Sequence, residues 1–364
     1  MTNRERQLLQ LIEQNPMIKQ KDLAEKLGIT RSSVAVHIRN LMLKGYIKGK
    51  GYVLDDNIYV AVIGATNFDM QGFSETDVEC GGFNFGNIKE SAGGVGRNIT
   101  ENLIRLGTRV KFVSAIGGDG RSHFIMDHCH KVGISTDDFL IVENGRASTY
   151  MAILDQHNHQ IHAFADMKIL EEMTAEFINS KSQILRNAKI ISLDTGFADD
   201  VIDYIFQNYK RKDVYMSPIS TDVHQIAAHM DQIHTLRINA QEAGMIVERE
   251  LKTRKDVITA GKEIIEKGVR RVYITHAGKG VYYNDSYAKA EGYVKTNMLV
   301  SKSVSGTADA FMAGIIFGTL KDMKPELLTK FAIAMADSTA NSRESVNPLL
   351  TYDYVMDVLK ETNL

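Results

Sequence analysis

The stretch SAGGVGRNITENLIRLG (residues 91–107) decides how this chain is read. Gly93, Gly94 and Gly96 stand at the start of an amphipathic helix, where backbone without Cβ atoms lets a ligand come close. Asn98 presents an amide from the first turn of that helix, and a second glycine-rich turn, AIGGDG (115–120), follows the next apolar run. A stretch of the same character recurs near the other end, SVSGTADAFMAGI (303–315). There Ser305 and Gly306 open an apolar helix, so free N–H groups and the helix dipole converge on one point. Asp309 lies in that first turn. A carboxylate beside an anion site suits a base; the alternative is an ordinary acidic residue at a helix start. Either stretch alone could serve packing, but the two in this order define a candidate site.

Outward from these stretches, short apolar runs alternate with amphipathic helices. The predicted strands are 58–64, 110–115, 189–194, 213–217, 233–238 and 271–275. Helices are predicted near 97–106, 120–132, 174–187, 198–211, 240–250, 254–267, 306–321 and 325–341. Such alternation predicts a parallel sheet covered by helices on both faces. Two regions interrupt it: the Gly- and Phe-rich 67–91, and 148–165, which reads as a hairpin turning at His157-Asn158. Strands outside an α/β core commonly form a lid or an oligomer contact. His157, His159 and His162 in that hairpin read as exposed lid residues rather than metal ligands.

Residues 1–54 have a different character. They carry ten Lys/Arg against four Asp/Glu, although the whole chain of 364 residues has a net charge of −2. A basic segment on an acidic body points to nucleic acid at one end, or to a solvated basic face. Leu8, Leu9, Leu11 and Ile12 share one face of a helix over 3–14, which Pro16 stops. A second helix, roughly 19–27, ends at Gly28, and Thr30 can cap a third running to about Lys44. YIKGKGYVL (46–54) then reads as a hairpin with its tip at Gly49-Lys50-Gly51.

Composition and motifs exclude several classes. Hydrophobic residues at 44% and charged residues at 24% are ordinary for a globular protein. Two cysteines, Cys80 and Cys129, are too few for a disulfide framework or a zinc site. The polar start predicts no secretory signal, the longest apolar run (310–317) is too short to span a bilayer, and a cytoplasmic protein is expected. There is no G-x-x-x-x-G-K-[ST], no H-E-x-x-H and no G-x-S-x-G, and GGVGRN does not satisfy the dinucleotide-binding pattern.

Residues 3–54 resemble the winged helix-turn-helix domains of bacterial regulators. The resemblance implies that Arg31, Ser32, Ser33 and His37 face the major groove and that Lys48 and Lys50 touch phosphates. Such domains also serve as docking or dimerisation modules. From about residue 58 to the C-terminus the chain resembles the ribokinase-like (PfkB) carbohydrate and nucleoside kinases. GGVGRNITENL together with RESVNP (343–348) is most similar to the pseudouridine kinases among them. The implied architecture is a three-layer α/β/α domain (58–364) with a small β lid, preceded by the winged-helix domain (1–54) and a short linker at Asp55-Asp56-Asn57.

The family resemblance also implies roles. Asn67 and Asp69 in GATNFD would bind sugar hydroxyls, and Gly93, Gly94 and Asn98 would position the ribose. Asp166 in FADMK would help read base or ribose. Asn239 and Glu242 in NAQE match the N-x-x-E motif, with Glu242 ordering magnesium through water. Thr275, Gly278 and Gly280 in THAGKG match the nucleotide-binding loop. Asp309 would accept the proton of a primary hydroxyl, while N–H groups of Gly306, Thr307 and Ala308 form the anion hole. ATP, Mg2+ and a monovalent cation are the implied cofactors. The implied partners are a nucleoside or sugar, DNA through residues 1–54, and a second copy of the chain, with no membrane.

One departure bears on activity. The family pattern is Gly-Ala-Gly-Asp, whereas this chain has Gly306-Thr307-Ala308-Asp309. Alanine there is costly only if the position needs positive φ, and the helix start over 309–311 predicts negative φ. An active phosphotransferase is therefore expected; the competing reading is a transcription regulator whose kinase-like domain senses its ligand without catalysis.

Overall fold

The computed structural model describes residues 1–47, 58–79, 81–157, 159–219, 223–296, 305–342 and 344–361. Lys48, Lys50 and the rest of the predicted hairpin to residue 54 lie outside the described residues, as do Cys80, Asn158 and 301–304. The N-terminal unit holds α1 (Asn3–Gln14), α2 (Gln20–Leu27) and α3 (Arg31–Leu43). Each boundary has a local cause. Thr2 and Glu5 form a reciprocal capping box on α1, and α2 stops at Gly28, whose φ of 61° is left-handed. Thr30 Oγ1 accepts the Ser33 N–H at 3.1 Å to cap α3. Leu8, Ile12, Leu23, Val34 and Leu41 close a small core of their own.

The body begins with β1 (Tyr59–Ile63), β2 (Asn67–Ser74), β3 (Gly86–Gly93), α4 (Val95–Arg105), β4 (Arg109–Val113), β5 (Ala115–Gly117) and α5 (Gly120–Lys131). Next come β6 (Leu140–Val142), β7 (Ser148–Leu154), β8 (Gln160–Asp166), a 3-10 turn at Lys168–Glu172, α6 (Ala175–Ser180), α7 (Ser182–Asn187) and β9 (Ile190–Asp194). The chain continues through α8 (Asp199–Asn208), β10 (Asp213–Ser217), α9 (His224–Ala228), β11 (Thr235–Asn239), α10 (Ala240–Ile246) and α11 (Arg254–Glu266). It ends with β12 (Arg271–His276), β13 (Gly280–Asp285), β14 (Ala290–Lys295), α12 (Thr307–Leu320), α13 (Pro325–Ala340) and α14 (Tyr352–Glu361).

The main sheet has the order β14-β13-β12-β11-β10-β9-β1-β4. Its side chains alternate between two cores: Val60 and Val62 pack with Leu103, Phe311 and Phe331, while Ala61 and Ile63 pack with Ile202 and Val257. Period-two alternation into two helix layers makes this a three-layer α/β/α domain. Six neighbouring strands are parallel, as their crossovers require, but β13 pairs antiparallel with both β12 and β14, so the sheet is mixed rather than wholly parallel. A tight turn after β12, in place of a helix, reverses the chain.

The two interrupting regions form the small β lid: β2 and β3 from 67–91 join β7 and β8 in a four-stranded sheet. Two further expectations are corrected. The predicted helix 174–187 is two short helices meeting at Lys181. The helix predicted to 250 ends at Ile246, because Glu248 turns left-handed (φ 56°) and the Arg249 N–H bonds to the Gly244 carbonyl at 2.9 Å.

Parallel strands give the sheet two unlike edges. Asp194, Asn239 and Thr275 stand where β9, β11 and β12 end, beside the lid and the start of α12. Lys189, Lys212, His234 and Arg270 directly precede β9 to β12 at the other edge, and the N-terminal unit docks there. Lys189 Nζ lies 3.4 Å from the Tyr46 ring centre, and Arg6 reaches Asp322 at 3.4 Å.

Candidate active site

The two glycine-rich stretches meet at the carboxyl edge of the sheet, where α/β folds place their ligands. Gly94, with φ 98°, starts α4 against the chain that leaves β1; a Cβ on it would come within 2.5 Å of the Ala65 carbonyl. Gly93 lies directly against the Asp69 carboxylate, leaving no room for a side chain. Gly306 (φ 93°) precedes α12, and a Cβ there would collide with the Ser345 carbonyl. Ala308 lies inside α12 and is not among the non-glycine residues with positive φ, in agreement with its predicted helical backbone.

Asp309 is buried, and its Oδ2 accepts a hydrogen bond from Asn98 Nδ2 at 2.7 Å. That single contact joins the starts of α4 and α12. Burial raises the Asp309 pKa above the usual carboxylate range, against the Asn98 hydrogen bond and the charges of Arg237 and Arg97. Asp69 is raised to about 7, first by burial and then by the charge of Asp309, with Arg97 opposing. The buried Asn67 Oδ1 and Asp69 Oδ1 lack hydrogen-bond partners, so polar atoms converge beneath the lid without satisfying one another.

Arg97 is fully buried and holds this wall together. It bonds to Asn98, Glu101 and the Gly93 carbonyl, the last at 3.1 Å. Burial would raise Glu101, but a His128 hydrogen bond and the charges of Arg97 and Arg105 hold its pKa at about 2. Asp194 accepts the Ala65 and Gly196 N–H groups at 2.8 and 3.1 Å, fixing the turn between β1 and β2; burial lifts its pKa to about 7.

Beside the start of α12 opens a cavity of about 970 Å³. Asn239, Thr275 and Thr307 line it beside Arg237, and Met245 and Ala336 supply apolar wall. Asn239 and Glu242 form a capping box on α10, with Asn239 N–H to Glu242 Oε2 at 2.6 Å. Burial raises the Glu242 pKa, with Arg237 opposing. Gly278 and Gly280 shape the turn from β12 to β13 and do not line the cavity. Asp166 is exposed at the end of β8, and its register with Thr149 and Phe68 sets it on the face opposite Asp69. The structure does not bring it into this cluster.

Arg237, Arg97 and Asp194 were not singled out from the sequence. A lone arginine in the apolar run TLRIN is the signal for Arg237: it is buried with its Nε unpartnered, next to Glu242 and Asp309. In the N-terminal unit, Arg31 and Ser32 are exposed at the start of α3. The Ser32 and Ser33 hydroxyls both lie 2.8 Å from Thr30 Oγ1, and His37 is half-buried.

A left-handed glycine opening a helix, a buried carboxylate in its first turn and a cavity of about 970 Å³ beside it on a three-layer sheet are the layout of a sugar or nucleoside kinase. The chain belongs to the pfkB family of carbohydrate kinases, whose profile matches residues 57–351, and its residues 1–48 match a winged helix-turn-helix DNA-binding profile. It is a phosphotransferase with an alcohol acceptor. The sequence is 29% identical over 361 residues to the uncharacterized sugar kinase YeiI of Escherichia coli K12, covering 99% of both chains. It is also 29% identical to E. coli pseudouridine kinase over 305 residues, covering 83% of this chain and 96% of that one. The crystal structure of a candidate sugar kinase from Clostridium perfringens superposes with a TM-score of 0.73 at 31% identity, over 84% of this chain and 97% of that chain. Arabidopsis thaliana ribokinase shares the fold, with a TM-score of 0.71 at 19% identity over 83% and 99% of the two chains. Among the described residues, no helix is long and apolar enough to cross a membrane.

Proposed function

We propose that this chain transfers the γ-phosphoryl group of ATP to the 5′-hydroxyl of a nucleoside, pseudouridine foremost, and that its N-terminal unit binds DNA. The observation that carries the first part is the Asn98–Asp309 hydrogen bond, which ties a buried carboxylate in the first turn of α12, next to the cavity-lining Thr307, to the start of α4. Asn67, Asp69, Gly93, Gly94 and Asn98 would hold the ribose on the lid side. Thr275, Asn239 and Arg237 would hold the nucleotide on the other, with Gly278 and Gly280 shaping the loop. The unpartnered Nε of Arg237, a residue that lines the cavity, and the cavity's size fit a polyphosphate.

Asp309, unprotonated, accepts the hydroxyl proton as the oxygen attacks, and N–H groups of residues 306–309 stabilise the charge on the transferring group. Magnesium, when bound, neutralises phosphate charge, and Glu242 would hold it through water. A monovalent cation is retained in this reading without assigned ligands.

The preference for a nucleoside is supported by the similarity to pseudouridine kinase over 83% of this chain. Chromatography of reactions with ATP and a panel of nucleosides and sugars tests it, with the monophosphate of pseudouridine expected to form fastest. Phosphorylation of sugars alone would replace the substrate, and binding of ATP and nucleoside without transfer would make the domain a sensor. Pairing of two copies through the lid is supported by the exposed Phe83, Phe85, Ile88 and Phe164.

DNA binding is supported by the basic balance of residues 1–54 and by an α3 start left open to solvent. Affinity for duplex DNA from the chain's own upstream region is expected to fall steeply with salt. Arg31→Ala should relax sequence preference, whereas Lys48→Ala/Lys50→Ala should weaken all duplexes alike. Binding that does not respond to salt in fluorescence anisotropy would favour a docking role for this unit.

A further inference from the structure

At the sheet edge opposite the active site, the N-terminal unit and the body enclose a second cavity, of about 250 Å³. Its walls carry Lys44 from the end of α3 and Lys189, Arg211, Lys212 and Arg270 from the loops that enter β9, β10 and β12. Asp213 is the carboxylate among its lining residues. Glu5 is committed to Lys44 at 2.8 Å, which leaves the other four Lys and Arg side chains of the lining with Asp213 as its carboxylate. The interior cations are already occupied: Lys212 donates to the Ala188 carbonyl at 2.8 Å, and Lys189 sits on the Tyr46 ring. Arg211 and Arg270 are exposed and form no ion pair among the described residues. Like charges drawn together at a junction of two units repel unless an anion sits among them.

We propose that this cleft is a binding site for a small phosphomonoester, its phosphate held by Arg211 and Arg270. Two guanidiniums match a phosphate dianion better than a monovalent anion. The cavity is smaller than the roughly 300–1,000 Å³ of common ligand pockets, which suits a phosphate with one sugar ring. The ligand class is the one a sugar or nucleoside kinase releases, and that link rests on the proposed activity; anion binding itself does not. Burial and the neighbouring Lys44 and Lys212 hold the Lys189 pKa down at about 8, against Asp213, as expected where positive charge is crowded.

The test is calorimetric titration of the full chain, tagged at its C-terminus, with ribose 5-phosphate. Saturable binding is expected in the wild type, weakened at least about tenfold in Arg211→Ala/Arg270→Ala and largely kept in Arg211→Lys/Arg270→Lys. Kinase turnover should be the same in all three proteins, because the site lies across the sheet from Asp309. Absence of binding, binding unchanged in the alanine variant, or equal competition by sulfate and chloride would each overturn the proposal. A kinase assay that fails while the alanine variant still loses binding would remove the proposed activity and leave the site.

Discussion

Asp309→Asn is expected to lower turnover by about 10²–10⁴-fold, the range lost with a general base. The amide keeps the shape of the side chain and can still accept from Asn98 Nδ2, so the seam between α4 and α12 should stay closed. Nucleoside affinity should hold within about threefold, since the ribose contacts come from other residues. The pH profile gives a second, independent readout. A base must be unprotonated, and burial raises the Asp309 pKa, so kcat/KM should fall as pH drops through a limb set higher than for an exposed carboxylate. Asp69, at about 7, is coupled to it, so the acid limb belongs to the pair. Asp69→Asn should keep an acid limb while raising KM; in Asp309→Asn the residual rate should lose the limb that Asp309 supplies. Near-normal turnover in Asp309→Asn would remove this residue from the chemistry.

That carboxylate was legible in the sequence because the requirement it meets is local. A glycine, a helix start and an acidic first turn are consecutive residues, and Gly306 to Asp309 occupy the places their order implies. Two helix caps were legible for the same reason: Thr30 and Gly28 act within one turn. What stayed hidden depends on partners far along the chain. The strand β2 contains Gly72 and little alternation, and it exists because β3 and β7 pair with it on both sides. Arg237 looks like a misplaced charge in an apolar strand until the fold sets it beside Glu242 and Asp309. Asp194 reads as an ordinary strand end; its role is to bind the N–H of Ala65, 129 residues earlier. The cation cluster under the sheet is scattered over the end of α3 and the entries to β9, β10 and β12, and only the tertiary fold gathers it.

The exchange of glycine and alanine at the start of α12 separates backbone geometry from hydrogen-bond donation. Gly306→Ala is expected to lower kcat by about 10²–10³-fold, the loss seen when one oxyanion donor is removed. With φ at 93°, alanine would bear roughly 1–2 kcal/mol of backbone strain. Its Cβ would also strike the Ser345 carbonyl, so the turn must move and carry the first N–H groups of α12 with it. Ala308→Gly should change kcat by less than about tenfold, because a helical residue donates the same N–H with or without a Cβ. Nucleoside binding to Gly306→Ala, followed by calorimetry, distinguishes a displaced anion hole from a protein that has failed to fold. If Gly306→Ala turned over normally, the N–H groups at this helix start would not be the ones that hold the transferring phosphate. If Ala308→Gly instead raised a negligible wild-type rate by orders of magnitude, alanine at 308 would be what turned a kinase into a sensor. The helical backbone at Ala308 argues for the first pattern, a costly change at 306 and a mild one at 308.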